Sequence, residues 1–149
     1  MATLTFEVFS RFQSATDANK LLYTPLDAAL TYNHTRLYTV ECEGDVDAAR
    51  DYMRRVLVDP ISQKVQEDGT PALEGELFCI SYGIKKGALD LEKEAILTNY
   101  HGRKGLPFTI SALTITQKVY IFGEGDHDTL AARFTKDVCN PAIHTWSVK

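Results

Sequence analysis

The chain has 149 residues, 44% of them hydrophobic, with a formal charge of −4 and a pI near 5.5. That length can bury a real core, while the acidic balance gives no basic footprint for nucleic acid, which is excluded as a partner at this level. No apolar run approaches the roughly 18 residues of a spanning helix, and the start "MATLTFEVFS" lacks the pattern of a signal peptide, so a cytoplasmic location with no membrane partner is the default expectation.

In chain order, Leu4, Phe6 and Val8 alternate as in a half-buried strand. The stretch "TDANKLLYTPLDAALTYN" predicts helix, in which Pro25 either kinks one helix or opens a second with Thr24 as its cap. A strand over 37–42 follows, then "EGDVD", where Asp45 can cap a helix and Asp47 sits in its first turn. Val46, Ala49, Met53, Val56 and Leu57 make one face of that helix, which the Asp59-Pro60 step ends before a short closing strand. Residues 67–76, "EDGTPALEGE", read as a linker.

Beyond it, 77–82 is a second apolar strand. Asp90 caps a helix with an apolar stripe of Leu91, Ala95, Ile96 and Tyr100, and Gly102 suits its left-handed end. The stretch 108–122, "FTISALTITQKVYIF", is long enough for a hairpin. "EGDHD" then places Asp126 as cap and Asp128 in the first turn of a helix with Leu130, Phe134 and Val138 on one face, closed by Asn140-Pro141 and a last strand carrying Trp146, which is expected to be buried in the core or an interface.

The same grammar occurs twice. Val40 falls on Ile121, Gly44 on Gly125, Asp45 on Asp126, Met53 on Phe134 and Pro60 on Pro141, at a constant separation of 81. The expected architecture is α+β, two β-α-β-α-β repeats over 1–66 and 77–149 joined by the 67–76 linker and packed as an intramolecular pseudo-dimer.

Residues for independent catalysis are not signalled. Cys42, Cys79 and Cys139 are odd in number and form no C-x-x-C pair, and read as small buried hydrophobes. "HGRKG" (101–105) lacks phosphate-loop spacing and follows a helix instead of opening one. In "EGDHD", His127 is replaced by Val46 in the first copy, so the shared chemistry is capping and no metal is expected. His34, His101, His127 and His144 are scattered, with surface or partner contact the expected role of each.

The second copy resembles PurS, the small subunit of phosphoribosylformylglycinamidine synthase, and the duplicated form found in some fused versions of that enzyme. "YGIKKGALDLEKEAI" resembles the family's K-P-G turn and helix, with Lys86 where proline is usual; "LTITQKVYIFGE" and "DVCNPAIHTWSV" resemble its following strand and closing segment. The first copy matches through "RLYTVECEGDVDAA" and "VLVDPISQKV" but lacks the K-P-G turn.

The resemblance implies a non-catalytic component of an ATP- and glutamine-dependent carbon-nitrogen ligase of purine biosynthesis. It would bridge the synthetase (PurL) and glutaminase (PurQ) components and support ammonia transfer. It implies no cofactor in this chain, with ATP, Mg and glutamine on the partners. By the same resemblance, Lys85, Lys86, Gly87, Lys118, Asn140 and Pro141 are the partner-contact candidates, and Gly44, Asp45, Pro60, Gly125, Asp126 and Pro141 mark the repeat. A tandem small-molecule-sensing module is the alternative. Free-standing subunit or part of a fused enzyme, and further self-association, both stay open.

Overall fold

The computed structural model describes residues 1–12, 16–26 and 28–149. Strands β1 (Ala2–Ser10) and β2 (Thr16–Asp17) are followed by a 3-10 helix (Ala18–Leu21), β3 (Thr31–Gly44), α1 (Val46–Leu57) and β4 (Gln63–Glu67). Then come β5 (Phe78–Ile84), α2 (Leu91–His101), β6 (Phe108–Phe122), α3 (His127–Val138) and β7 (His144–Val148). The result is α+β: one seven-stranded antiparallel sheet in the order β4-β1-β3-β6-β5-β7, with β2 beside β3.

Register fixes this arrangement. In the β3–β6 pair, Thr31 faces Phe122 and Glu41 faces Ala112, and residues 81 apart in sequence exchange places across the pair. Arg36 faces Gln117, its own counterpart at that separation. The outer strands repeat the pattern: Phe6 faces Glu67 as Ile80 faces Val148, and Leu4 faces Val40 as Phe78 faces Ile121. Helices α1 and α3 also differ by 81 at both ends, and Asp45 and Asp126 cap them by accepting from the N–H of Ala48 and Thr129.

The helices cover one face of the sheet through two apolar clusters. In the first, Ala49, Tyr52 and Met53 of α1 pack on Phe6, Tyr38, Val40 and Leu113, flanked by Ile96, Leu97 and Tyr100 of α2. In the second, Ala131 and Phe134 of α3 pack on Phe78, Ile80, Val119 and Ile121, together with Ala18, Leu22 and Leu30. Each half's first connection therefore shields the other half's core. The first-half segment is pinned there, since Tyr23 N–H donates to Asp137 Oδ2 (3.0 Å) and Arg133 Nη2 donates to the Thr24 carbonyl (2.8 Å).

Five expectations change. Within 16–33 the only helix among the described residues is the short 3-10 helix, between β2 and the start of β3, and the helix that Pro25 was expected to kink or open is absent among them; Asp27 lies outside the described residues. The side chain of Asn19 accepts from Leu26 N–H (2.7 Å) and donates to the Ala28 carbonyl (3.0 Å), holding the backbone in a loop that a helix would break. The expected second-copy order is met by β5, α2, β6, α3 and β7. The 108–122 stretch is one strand instead of a hairpin, because it contains no Gly, Pro, Asn or Asp to turn it and only a bulge opposite Glu41 and Cys42.

Gly102 ends α2 in right-handed geometry (φ −74°), and the chain reverses later, at Gly105 (φ +73°). Of the expected stripe, Ile96 and Tyr100 pack inward but Leu91 is 73% exposed and Ala95 is exposed. Trp146 sits on the outermost strand and is 42% exposed, so it is not a core residue.

Glycine is required at one repeat marker for a definable reason. Gly44 has φ +95°, and a Cβ there would lie 2.6 Å from the Pro107 carbonyl oxygen, which also accepts from Asp45 N–H. Gly87 has nearly the same φ, +92°, with nothing within 4 Å. Gly44→Ala is expected to cost about 2–3 kcal/mol and Gly87→Ala only about 1 kcal/mol. Urea unfolding of the two variants checks this; equal losses would show that strain alone, without the carbonyl contact, accounts for Gly44.

Candidate functional site

The lysine-bearing segment expected to meet a partner is a built turn. Lys85 N–H donates to the Ile143 carbonyl (2.8 Å) and Ala88 N–H closes the turn on the Lys85 carbonyl (3.0 Å). Asp90 then caps α2 by accepting from Lys93 N–H. Below the turn lies a cavity of about 400 Å³, walled by Lys85, Lys86, Gly87 and Lys93 and by the carboxylates of Asp90 and Glu94, over Leu113 and Ile115. Leu89 and Leu91 beside it are 69% and 73% exposed, and Ile143 on the neighbouring turn is 42% exposed. Cationic groups thus border unburied aliphatic side chains.

The neighbouring turn contains Asn140 and Pro141. Asn140 Oδ1 accepts from Ala142 N–H (2.9 Å), and Asn140 N–H donates to His144 Nδ1 (2.9 Å), which requires that ring nitrogen to carry no proton. The Asp59-Pro60 turn repeats this wiring: Asp59 Oδ1 accepts from Ile61 N–H (3.0 Å) and Asp59 N–H donates to Gln63 Oε1 (2.9 Å). The Ile61 N–H and then the Ser62 hydroxyl hold the Asp59 carboxyl below its ordinary range, as the Thr129 hydroxyl and N–H do for Asp126.

Lys118 is elsewhere. It lies on the helix-free face of the sheet, with Nζ 3.6 Å from Glu7 Oε1 and 5.2 Å from the Tyr120 ring centroid. Of the six partner-contact candidates, the structure brings together Lys85, Lys86, Gly87 and, across the Lys85–Ile143 bond, the Asn140-Pro141 turn; Lys118 stands apart.

Glu7 is the centre of a buried polar network that the sequence did not reveal. It is 3% exposed, and its Oε2 accepts from the Thr35 hydroxyl (2.7 Å) and the Tyr120 hydroxyl, while Ala72 N–H of the inter-half segment approaches Oε1 (3.3 Å). That segment is tied down again where Gly69 N–H meets Thr5 Oγ1 (2.9 Å) and Leu77 N–H meets the Ile121 carbonyl (2.7 Å). Burial, then the bond to Glu7, pushes the Tyr120 phenol well above its ordinary range, so it stays a donor. In sequence, Glu7 is out of phase with Leu4, Phe6 and Val8 and reads as solvent-facing; Thr35, Tyr120 and Lys118 of the sheet and Ala72 of the crossing segment enclose it.

Among the described residues, the remaining titratable groups show no nucleophile paired with a base. All three cysteines are buried and free, and burial pushes the Cys79 and Cys139 thiols up to about 11. Among the described residues, no cluster of three or more His, Cys, Asp or Glu side chains is placed to hold a metal ion. His127 lies edge-on to Phe78 (centroids 5.8 Å apart) and His101 and its loop are exposed. No described helix is long and apolar enough to cross a membrane.

No protein-family model matches the chain, and no curated protein or solved structure does. Its own geometry therefore carries the functional reading.

Glu7→Ala would leave the Thr35 and Tyr120 hydroxyls without their acceptor, and is expected to cost about 2–4 kcal/mol. Protease cutting within 68–76 should rise with it. Unchanged unfolding and cutting would mean that the network does not hold the segment.

Proposed function

We propose that the chain is a duplicated PurS-like interaction subunit, or the corresponding region of a fused enzyme, that docks the synthetase and glutaminase components of phosphoribosylformylglycinamidine synthase without chemistry of its own. Its two strand-helix-turn-strand units, 1–66 and 77–149, are read as an internal pseudo-dimer about an axis at Arg36 and Gln117. The observation that carries the reading is the repeated unit itself. The β3–β6 register, helix caps and Pro-containing turns recur at a separation of 81, the first strands at 74, and the chain motifs in these places are the ones that resemble the PurS family.

The lysine turn supports a docking role. Lys85, Lys86 and Lys93 can meet a partner's carboxylates while Leu89, Leu91 and Ile143 bury apolar surface, the mixture that interface cores and rims combine. On this reading ATP, Mg and glutamine are bound by the partners, and transfer of ammonia depends on correct assembly, with the chain active in the cytoplasm.

The test is reconstitution with cognate synthetase and glutaminase. Adding the chain is expected to raise glutamine-dependent amidine formation while leaving ammonia-dependent formation unchanged. Lys85→Glu with Lys86→Glu should reverse most of the gain, weakening assembly by about tenfold or more through like-charge repulsion. Glutamine-dependent activity that ignores the chain, with ammonia-dependent activity present, would overturn the proposal.

A further inference from the structure

We propose a separate site in the first half: a pocket for a small free molecule bearing a carboxylate or phosphate group. A cavity of about 320 Å³ opens where the end of β1, the middle of β3 and the turn before β4 meet. Its described walls include Ser10, His34, Arg36, Tyr38, Ser62 and Gln63.

Comparison with the second half makes this cavity unusual. By the sheet register, Ser10 corresponds to Ile84, His34 to Ile115, Arg36 to Gln117 and Tyr38 to Val119. Ser62 and Gln63 correspond to Ile143 and His144. There these positions are mostly apolar: Ile115 and Val119 are buried, His144 packs edge-on against Tyr82 with centroids 5.0 Å apart, and Ile84 and the 42% exposed Ile143 add aliphatic surface beside the lysine turn. The first half instead lines the same place with hydroxyls, an amide, an imidazole and a guanidinium. Polar walls around a gap stabilise a fold less than apolar filling does, unless a ligand or water satisfies them.

The wiring of the walls selects the ligand's sign. Ser10 Oγ already accepts from Phe12 N–H (3.0 Å), and Gln63 Oε1 already accepts from Asp59 N–H (2.9 Å). What they retain are donors, the Ser10 hydroxyl hydrogen and the Gln63 amide NH₂. Arg36 is held from one side, where its Nη1 meets Glu92 Oε1 (3.2 Å), an oxygen that also accepts from Tyr38 Oη (2.6 Å). The guanidinium has five N–H groups, so this pairing leaves others to form a fork for a planar carboxylate or a phosphate. The Ser62 hydroxyl already donates to Asp59 Oδ2 (2.8 Å) and His34 Nε2 meets Gln117 Oε1 (2.7 Å), so the spare donors are those of Ser10, Gln63 and Arg36, which line one pocket and fit an acceptor-rich anion.

This site does not depend on the docking reading. The test is a pair of amide chemical-shift titrations at constant ionic strength, one with inorganic phosphate and one with L-glutamate. A saturable response confined to the strand ends around Ser10, His34, Arg36 and Gln63 is expected in at least one arm, and the responding arm names the group. Arg36→Gln, which installs the second half's residue, should weaken it by at least about tenfold. Ser10→Ile, which restores the second half's filling, should abolish it with an equal or higher melting temperature, and this variant decides the matter if Arg36→Gln fails to fold. Non-saturating shifts spread over exposed lysines, or affinity unchanged in a folded variant, would overturn the site.

Discussion

The antiparallel pairing of β3 with β6 is the constraint from which the rest of the molecule follows. It runs from Thr31 against Phe122 to Gly44 against Phe108 and joins the two halves into one sheet. A slip of one residue would turn Tyr38 and Val40 on one strand away from α1, or Val119 and Ile121 on the other away from α3, and expose Thr35 or Tyr120 in the wrong layer. Because the pairing is antiparallel and centred on Arg36 and Gln117, each half's loop lands over its neighbour's helix. α2 therefore closes the α1 cluster, and Ala18, Leu22 and Leu30 close the α3 cluster.

That geometry also explains why the two faces differ. Apolar residues alternate toward the helices, leaving a polar face that needs no cover except where the single inter-half segment crosses it. One segment can cross on one side only. Glu7, Thr35, Lys118 and Tyr120 meet beneath it, whereas the counterpart positions of the other half, Ser81, Thr116, Leu37 and Thr39, make no such network. The halves thus share a frame but differ in what they build on it. The second presents a lysine turn with exposed aliphatic neighbours; the first keeps a donor-lined cavity.

Much of the frame was legible in the sequence because its signals are local. Asp45, Asp90 and Asp126 cap helices through bonds that span only three residues, and the 81-residue separation survives in the residues that make caps and turns. What could not be read depends on distant partners. Asn19 diverts a helix-like sequence into a loop through Leu26 and Ala28, and Glu7 is enclosed in part by a segment some 65 positions away. Trp146 is apolar enough for a core but belongs to an edge strand that nothing on the outer side pairs. At the candidate site, the turn at Lys85 and its neighbour at Asn140 were legible as motifs, but their bond and the separation of Lys118 from them were not.

Native-state amide hydrogen exchange tests the joined-halves account most directly. If β3 and β6 hold one cooperative unit, the amides of Tyr38 and Val40 and those of Val119 and Ile121 should exchange only through global unfolding, at the same free energy. Destabilising the first core, for example with Met53→Ala, should lower protection in both strands together. Protection of β6 and β5 that survives while β1 and β3 open freely would contradict it, and would make the halves two domains that merely touch.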